Sequence, residues 1–198
     1  MTISNTKIGI TNPTFLIAIG SNQPWQDLGA AELVQEAIRR LGDIATRVRP
    51  SALYATPCFP AGAGPDYVNA AVWIEAQIRP EDMLQRLHAI EQDLGRMRAG
   101  RWGMRTIDLD LIACGDRVLP DRDVWAHWRG LTPEDQQRCA PDRLILPHPR
   151  MQERAFVLVP LADVAPGWRH PVIGATVAQM LAALPATDRA EVRMLPQP

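Results

Sequence analysis

Lysine is almost missing from this chain: of its 21 basic residues 20 are arginine, and Lys7 is the only lysine. A P-loop needs a lysine after its glycines, and a protein-kinase fold needs one on a strand. Any phosphate chemistry therefore falls to arginine, metal ions or backbone amides. Cysteine is scarce as well. Cys58, Cys114 and Cys139 are odd in number and show no CxxC spacing, which argues against a disulfide framework or a zinc site. Long apolar runs are lacking: Phe15–Ile19 is far shorter than the roughly 20 residues of a membrane span. No basic stretch leads into an apolar one near the N-terminus, so no secretory signal is read. A formal net charge of −1 gives no bulk attraction to nucleic acid or anionic lipid. The expectation is a soluble cytoplasmic protein with no nucleic-acid or membrane partner.

What is present reads as one domain. The 198 residues contain no internal repeat or Ser/Gly linker, and they suffice for a sizeable core. Residues 1–13 are polar and unpatterned, a loose tail. Phe15–Ile19 reads as a strand ending at Gly20-Ser-Asn22. Leu33, Val34, Ala37, Ile38 and Leu41 keep helical spacing up to Gly42. Ile44–Tyr54 and Tyr67–Ala76 read as strands, separated by a long Pro/Gly loop of the kind a compact domain keeps for a use. Pro80 with Glu81 and Asp82 starts a helix that Gly95 ends. Arg105–Cys114 reads as the last strand, before a turn at Gly115-Asp116. This order is the α+β, ferredoxin-like βαββαβ arrangement, an antiparallel sheet with helices packed on one face. Further helices are expected near Met151–Leu161 and Thr176–Leu184.

The chemistry concentrates in residues 95–112. Side chains alternate along a strand, so Asp108 and Asp110 share one face while Ile107, Leu109 and Leu111 enter the core. Two neighbouring carboxylates repel unless a cation sits between them, and Mg²⁺ prefers one or two carboxylates completed by phosphate oxygens. A bare Asp-x-Asp more often lines a solvated strand face. Here Arg96, Arg98, Arg101 and Arg105 lie just before it, and guanidinium forks suit phosphate. Gly95, Gly100 and Gly103 give that segment room to move over a nucleotide. His148, in Leu146-Pro-His-Pro149, has no second histidine at metal-ligand spacing and reads as a phosphate donor. Gly20-Ser-Asn22 lacks dinucleotide spacing.

Taken in order, Ile19-Gly-Ser-Asn22, Tyr54-x-Thr-Pro57, Asp66-Tyr-x-Asn69, Glu91-x-x-x-Gly-Arg96, Arg101-Trp-Gly-x-Arg-Thr-Ile-Asp-Leu-Asp110 and Pro147-His-Pro-Arg-Met-x-x-Arg-x-Phe156 resemble the 6-hydroxymethyl-7,8-dihydropterin pyrophosphokinase family. The resemblance implies transfer of pyrophosphate from MgATP to the pterin hydroxymethyl group in folate biosynthesis. It further implies two Mg²⁺ ions on Asp108 and Asp110, with Arg96 and Arg105 neutralising charge during transfer. Thr56, Pro57, Phe59 and Asn69 would hydrogen-bond or frame the pterin, and Tyr67 and Phe156 would stack on it. Arg98, Trp102, Leu111, Arg143, Ile145, His148 and Arg154 match positions around ATP.

The chain departs from the family between Leu119 and Leu144, where 24 residues stand. Segment 120–143 is read as an insertion with a helix start at Leu131-Thr-Pro-Glu-Asp, either a surface decoration or a contact with another protein. Two other classes use part of the pattern. Metal-dependent nucleotidyl or sugar transferases share Asp-x-Asp but leave Thr56, Pro57 and Asn69 without a role. A pterin-binding module without turnover would not need the acidic pair.

Overall fold

The computed structural model describes residues 12–58, 64–96, 106–132, 135 and 138–196. Within them the order is β1 (Thr14–Ser21), α1 (Ala30–Leu41), β2 (Arg47–Pro50), β3 (Tyr54–Thr56), β4 (Tyr67–Glu75), α2 (Pro80–Asp93) and β5 (Asp108–Cys114). Then come α3 (Arg122–Gly130), a 3₁₀ turn at Met151–Glu153, α4 (Ala155–Val164), α5 (Val177–Ala183), α6 (Ala186–Ala190) and β6 (Arg193–Met194).

The strands form one antiparallel sheet in the order β5-β1-β4-β3-β6, with β2 also paired to β4. The expected strand over Ile44–Tyr54 is divided in two. Ile44 N still bonds Leu41 O at the end of α1, and Pro50 has no N–H to offer. Ser51 Oγ accepts Ala71 N at 2.9 Å, replacing a ladder bond between β2 and β3. Of the expected tail, Pro13 is tied to the sheet, its O accepting Ala76 N, and residues 1–11 lie outside the described residues.

Helices α1 and α2 cover one sheet face. Leu33, Val34, Ala37 and Leu41 of α1 meet Met83, Leu87 and Ile90 of α2 over Phe15, Ile17, Ile19, Val72, Ile74, Leu109 and Leu111. Burying each such side chain contributes about 1.5–3 kcal/mol. The other face is covered too, which the one-sided expectation does not include. There Leu16, Ala71 and Ile112 pack under Val157, Leu158 and Leu161 of α4, joined by Val177 and Met180 of α5. A sheet whose strands are apolar on both faces needs a layer on each. The helix expected from Met151 begins properly at Ala155, after the 3₁₀ turn, and runs on to Val164.

Within segment 120–143 the described residues, 120–132, 135 and 138–143, are tied into the fold. Helix α3, which the sequence reading does not anticipate, starts where the Asp121 carboxylate accepts Val124 N at 2.9 Å. The helix start expected at Leu131–Asp135 is present in its bonds: Thr132 Oγ1 accepts Asp135 N, and Asp135 O accepts Cys139 N. Trp125 anchors the segment, 3% exposed, with its indole N–H donated to Pro147 O at 2.7 Å.

Candidate active site

The site grows from the outermost strand, β5. Alternation along it buries Leu109 and Leu111 and leaves the Asp108 and Asp110 side chains 27% and 38% exposed on the opposite face. Each carboxylate faces a guanidinium. Arg96 Nη1 lies 2.9 Å from Asp108 Oδ1, and Arg154 Nη1 lies 3.9 Å from Asp110 Oδ2.

The end of α2 delivers Arg96. Gly95 there has φ +82°, and the Trp25 ring lies so close that a Cβ at residue 95 would meet its carbons at 2.1–2.4 Å. Only glycine fits both demands. Glu91, one turn earlier and 2% exposed, accepts Leu109 N at 2.7 Å and pairs with the Arg96 guanidinium. Burial pushes its pKa up to about 7, against the opposing pull of the Leu109 N–H and the Arg96 charge. Arg96 is thus held between Glu91 and Asp108.

His148 is fixed by its backbone, whose N–H donates to Ile112 O at 2.8 Å beside β5. Its Nδ1 accepts Arg150 N at 3.2 Å. Burial, then the Arg154 charge, push its pKa down to about 3. The ring is therefore neutral near pH 7 and carries its proton on Nε2, as a donor. Burial also works against the Arg154 charge, and Asp110 is the main group that offsets it.

A cleft of about 550 Å³ brings these groups together. Arg96, Asp108, Asp110, His148 and Arg154 line it, and so do the expected Leu111, Arg143 and Ile145. Leu84 and His88 of α2, Trp128 of α3 and Arg150 are among the other residues of the wall, and none of them has an expected role from the sequence. The signal for Glu91 was legible in principle, since it sits four residues after Leu87 in a buried helical stripe. A charge placed there needs a partner.

The remaining expected residues gather on neighbouring strands. Asn69 Nδ2 donates to Thr56 Oγ1 at 2.8 Å, both residues buried, and Thr56 pairs in register with Tyr67. Pro57 is exposed and Tyr67 half-buried. Phe156 is 41% exposed, its ring 5.7 Å from the Arg154 guanidinium carbon. Asp108 stands opposite Gly20 on β1, and Gly20 opposite Asn69 on β4. Directly paired residues share a face, so the acidic pair and the Thr56–Asn69 pair open to the same side. Close by, Asn22 is 6% exposed and donates to Pro65 O, while its Oδ1 has no partner among the described residues. Phe59, Arg98, Trp102 and Arg105 lie outside the described residues.

Two carboxylates on one strand, partly open to solvent, suit a hard divalent cation whose other ligands are water and phosphate oxygens. Among the described residues no group of three or more His, Cys, Asp or Glu side chains forms a protein-only metal cage. The donor set fits Mg²⁺ brought with a polyphosphate. No helix among the described residues is long and apolar enough to cross a membrane.

Comparison with known proteins gives a consistent picture. A Synechocystis 2-amino-4-hydroxy-6-hydroxymethyldihydropteridine pyrophosphokinase is 42% identical over 62% of this chain and 53% of its own length. A Pseudomonas aeruginosa protein of the same name is 37% identical over 85% of this chain and 90% of its own. Among solved structures, a Plasmodium falciparum HPPK-DHPS superposes with a TM-score of 0.62 at 14% identity. That match covers 86% of this chain and 45% of the Plasmodium chain, and it shows the fold. The chain thus spans about half the length of the Synechocystis and Plasmodium proteins. The family model described as 7,8-dihydro-6-hydroxymethylpterin-pyrophosphokinase (HPPK) matches residues 16–166, which runs from within β1 through α4 and takes in every group around the cleft, and the chain belongs to this family of pyrophosphokinases.

Proposed function

We propose that the chain transfers the pyrophosphoryl group of ATP to 6-hydroxymethyl-7,8-dihydropterin, releasing AMP, as a step in folate biosynthesis. One observation carries the reading: Asp108, Gly20 and Asn69 lie in one row across three adjacent strands. The groups suited to a metal-bound triphosphate and those suited to a flat hydrogen-bonding ring therefore face one space, about 10 Å apart at two strand spacings. In the reaction the pterin hydroxyl oxygen bonds to the β-phosphorus and gives up its proton. The bond from that phosphorus to the oxygen bridging to the α-phosphorus breaks, and AMP leaves.

Asp108 and Asp110 would hold the Mg²⁺ ions, two by family resemblance, and these neutralise the triphosphate when bound. The residues of the chain then position and stabilise. Arg96 and Arg154, each beside one carboxylate, supply donors to phosphate oxygens, as does neutral His148 through Nε2. Family resemblance adds Arg105, Arg98 and Trp102, which lie outside the described residues. Leu111, Ile145 and Arg143 support the nucleoside. Thr56 and Asn69 hydrogen-bond the pterin, Pro57 and Phe59 frame it, and Tyr67 and Phe156 stack on its faces. The free Oδ1 of Asn22 offers a further acceptor near that ring. Because such transfer is mostly positioning and electrostatics, no covalent enzyme intermediate is required.

The test is direct. Purified protein is incubated with the pterin, ATP and Mg²⁺, and the nucleotide and pterin products are quantified. Equal amounts of AMP and pterin pyrophosphate, abolished by chelation and by Asp108→Asn, support the reading. ADP in place of AMP, or no turnover despite pterin binding, rejects it.

A further inference from the structure

Segment 120–143 contributes to the wall of the cleft. Trp125 and Trp128 lie three residues apart and so share one side of α3. Trp125 is the inward anchor: its N–H bonds Pro147 O, and its ring meets the buried His170 edge-on at 5.1 Å. One turn later Trp128 reaches the cleft and remains half-buried. Arg129, also on this side, bonds Glu153 at 2.7 Å. Leu119 and Leu146 exchange backbone hydrogen bonds of 2.8 and 3.1 Å at the base of the segment, and Arg122 reaches Pro171 O. The ties to Pro147, Glu153 and Leu146 run to the stretch that carries His148 and Arg154, so α3 is anchored beside the loop that presents the phosphate donors, and its Trp128 lines the same cleft.

The cleft mixes charged and apolar groups. Arg96, Asp108, Asp110 and Arg154, with Asp142, Arg143 and Arg150, bring its charge, and Leu84, Leu111, Ile145 and Trp128 bring apolar surface. A nucleoside triphosphate with its phosphates among the charged groups leaves a flat, uncharged heterocycle for the apolar part. An indole face is the side chain best suited to cover such a ring.

We propose that Trp128 is a nucleobase-contact residue, through which segment 120–143 sets nucleotide affinity and selectivity. The proposal rests on the pyrophosphokinase reading for the identity of the nucleotide. Removing the indole weakens the grip on the base and leaves the phosphate groups untouched.

The experiment compares the wild-type chain with Trp128→Ala, Trp128→Leu and Trp128→Phe. Calorimetric titrations with Mg²⁺ use a non-hydrolysable ATP analogue and, separately, inorganic tripolyphosphate. Steady-state assays give KM for ATP and for the pterin, and melting curves report folding. Trp128→Ala and Trp128→Leu should weaken the analogue about fivefold or more. Tripolyphosphate affinity and pterin KM should stay within about twofold, and Trp128→Phe should restore most of the loss. The leucine variant keeps the apolar cover, so it answers the question even if the alanine variant does not fold. Unchanged analogue affinity, or an equal loss for tripolyphosphate, overturns the proposal. Absence of AMP from the wild-type chain would overturn the pyrophosphokinase reading instead, and the two failures are read from different measurements.

Discussion

Asn69 and Asp108 are both register partners of Gly20, one on each side of β1. The glycine is what lets them work toward one space. A Cβ at residue 20 would stand 3.0 Å from Asn69 Oδ1, tighter than ordinary contact. Any larger side chain would push the amide off Thr56 and fill the gap between the carboxylate and the amide. A Gly20→Ala variant should raise KM for the pterin about tenfold, with a smaller change in KM for ATP. Steady-state kinetics with each substrate varied separately will show which KM moves. A rise confined to ATP would contradict the assignment of the two halves.

Replacing Asp108 or Asp110 by asparagine keeps the shape and removes the charge. Turnover should fall on the order of 10²–10³-fold, while pterin binding, read by calorimetry, should change little. Chelation of Mg²⁺ in the wild-type chain should do the same. Activity that persists through both treatments would show that the acidic pair is not the metal site.

Glu91→Ala leaves the Leu109 N–H without its acceptor and Arg96 without its buried counter-charge. Breaking such a buried pair typically costs about 3–5 kcal/mol. Urea unfolding should show a loss of that order, and kcat should fall because Arg96 is no longer held beside Asp108. Glu91→Gln retains an acceptor for Leu109 N and should recover part of the stability.

The Gly95→Ala substitution tests delivery of Arg96. A non-glycine residue at φ +82° costs about 1–2 kcal/mol before any clash. The overlap with Trp25 adds to that, so thermal melting should reveal a loss above about 2 kcal/mol. KM for ATP should rise with it. A variant with unaltered stability would mean that Trp25 moves aside freely.

His170 makes stability depend on pH in a defined direction. It is wholly buried between Trp125 and Trp168, and its Nδ1 accepts Val172 N and Ile173 N. Burial, then the Arg129 charge, push its pKa down to about 4 from 6.5. Between those values the unfolded chain binds the proton and the folded chain does not. Stability therefore rises with pH across that window, and this contribution is fully present above pH 6.5. It declines by up to about 3 kcal/mol on acidification to pH 4. Urea midpoints measured from pH 4.5 to 7.5 should show this slope, and His170→Asn should flatten it by one proton. Equal slopes in both chains would place the acid sensitivity elsewhere, for example at His148, another imidazole whose pKa is pushed down.

The sequence carried much of this in its periodicities. Alternation along β5 foretold which residues of Ile107–Leu111 are buried, and Pro80 with Glu81 and Asp82 foretold the start of α2, with Gly95 at its end. The covering of the second sheet face was harder to read, because Ala71, Trp73 and Leu16 are apolar without marking which helix meets them. The division of Ile44–Tyr54 depends on Ser51 accepting Ala71 N, a long-range bond that no local pattern announces. In the site, Asp108, Asp110 and Arg96 were legible from spacing. Glu91 was legible only as a charge in a buried helical stripe, and the places of Trp128 and Gly20 were not legible, since each depends on neighbours distant in sequence.

The bonds that surround β5 have a second consequence. An outermost strand exposes a row of unpaired N–H and C=O groups, a template on which another chain can add a strand and aggregate. Here Glu91 takes the Leu109 N–H, and His148 N occupies Ile112 O. The groups that arrange the chemistry therefore also close the open side of the sheet. Chains altered at Glu91 should lose solubility along with activity, so that resistance to self-association is written into the same few atoms as turnover.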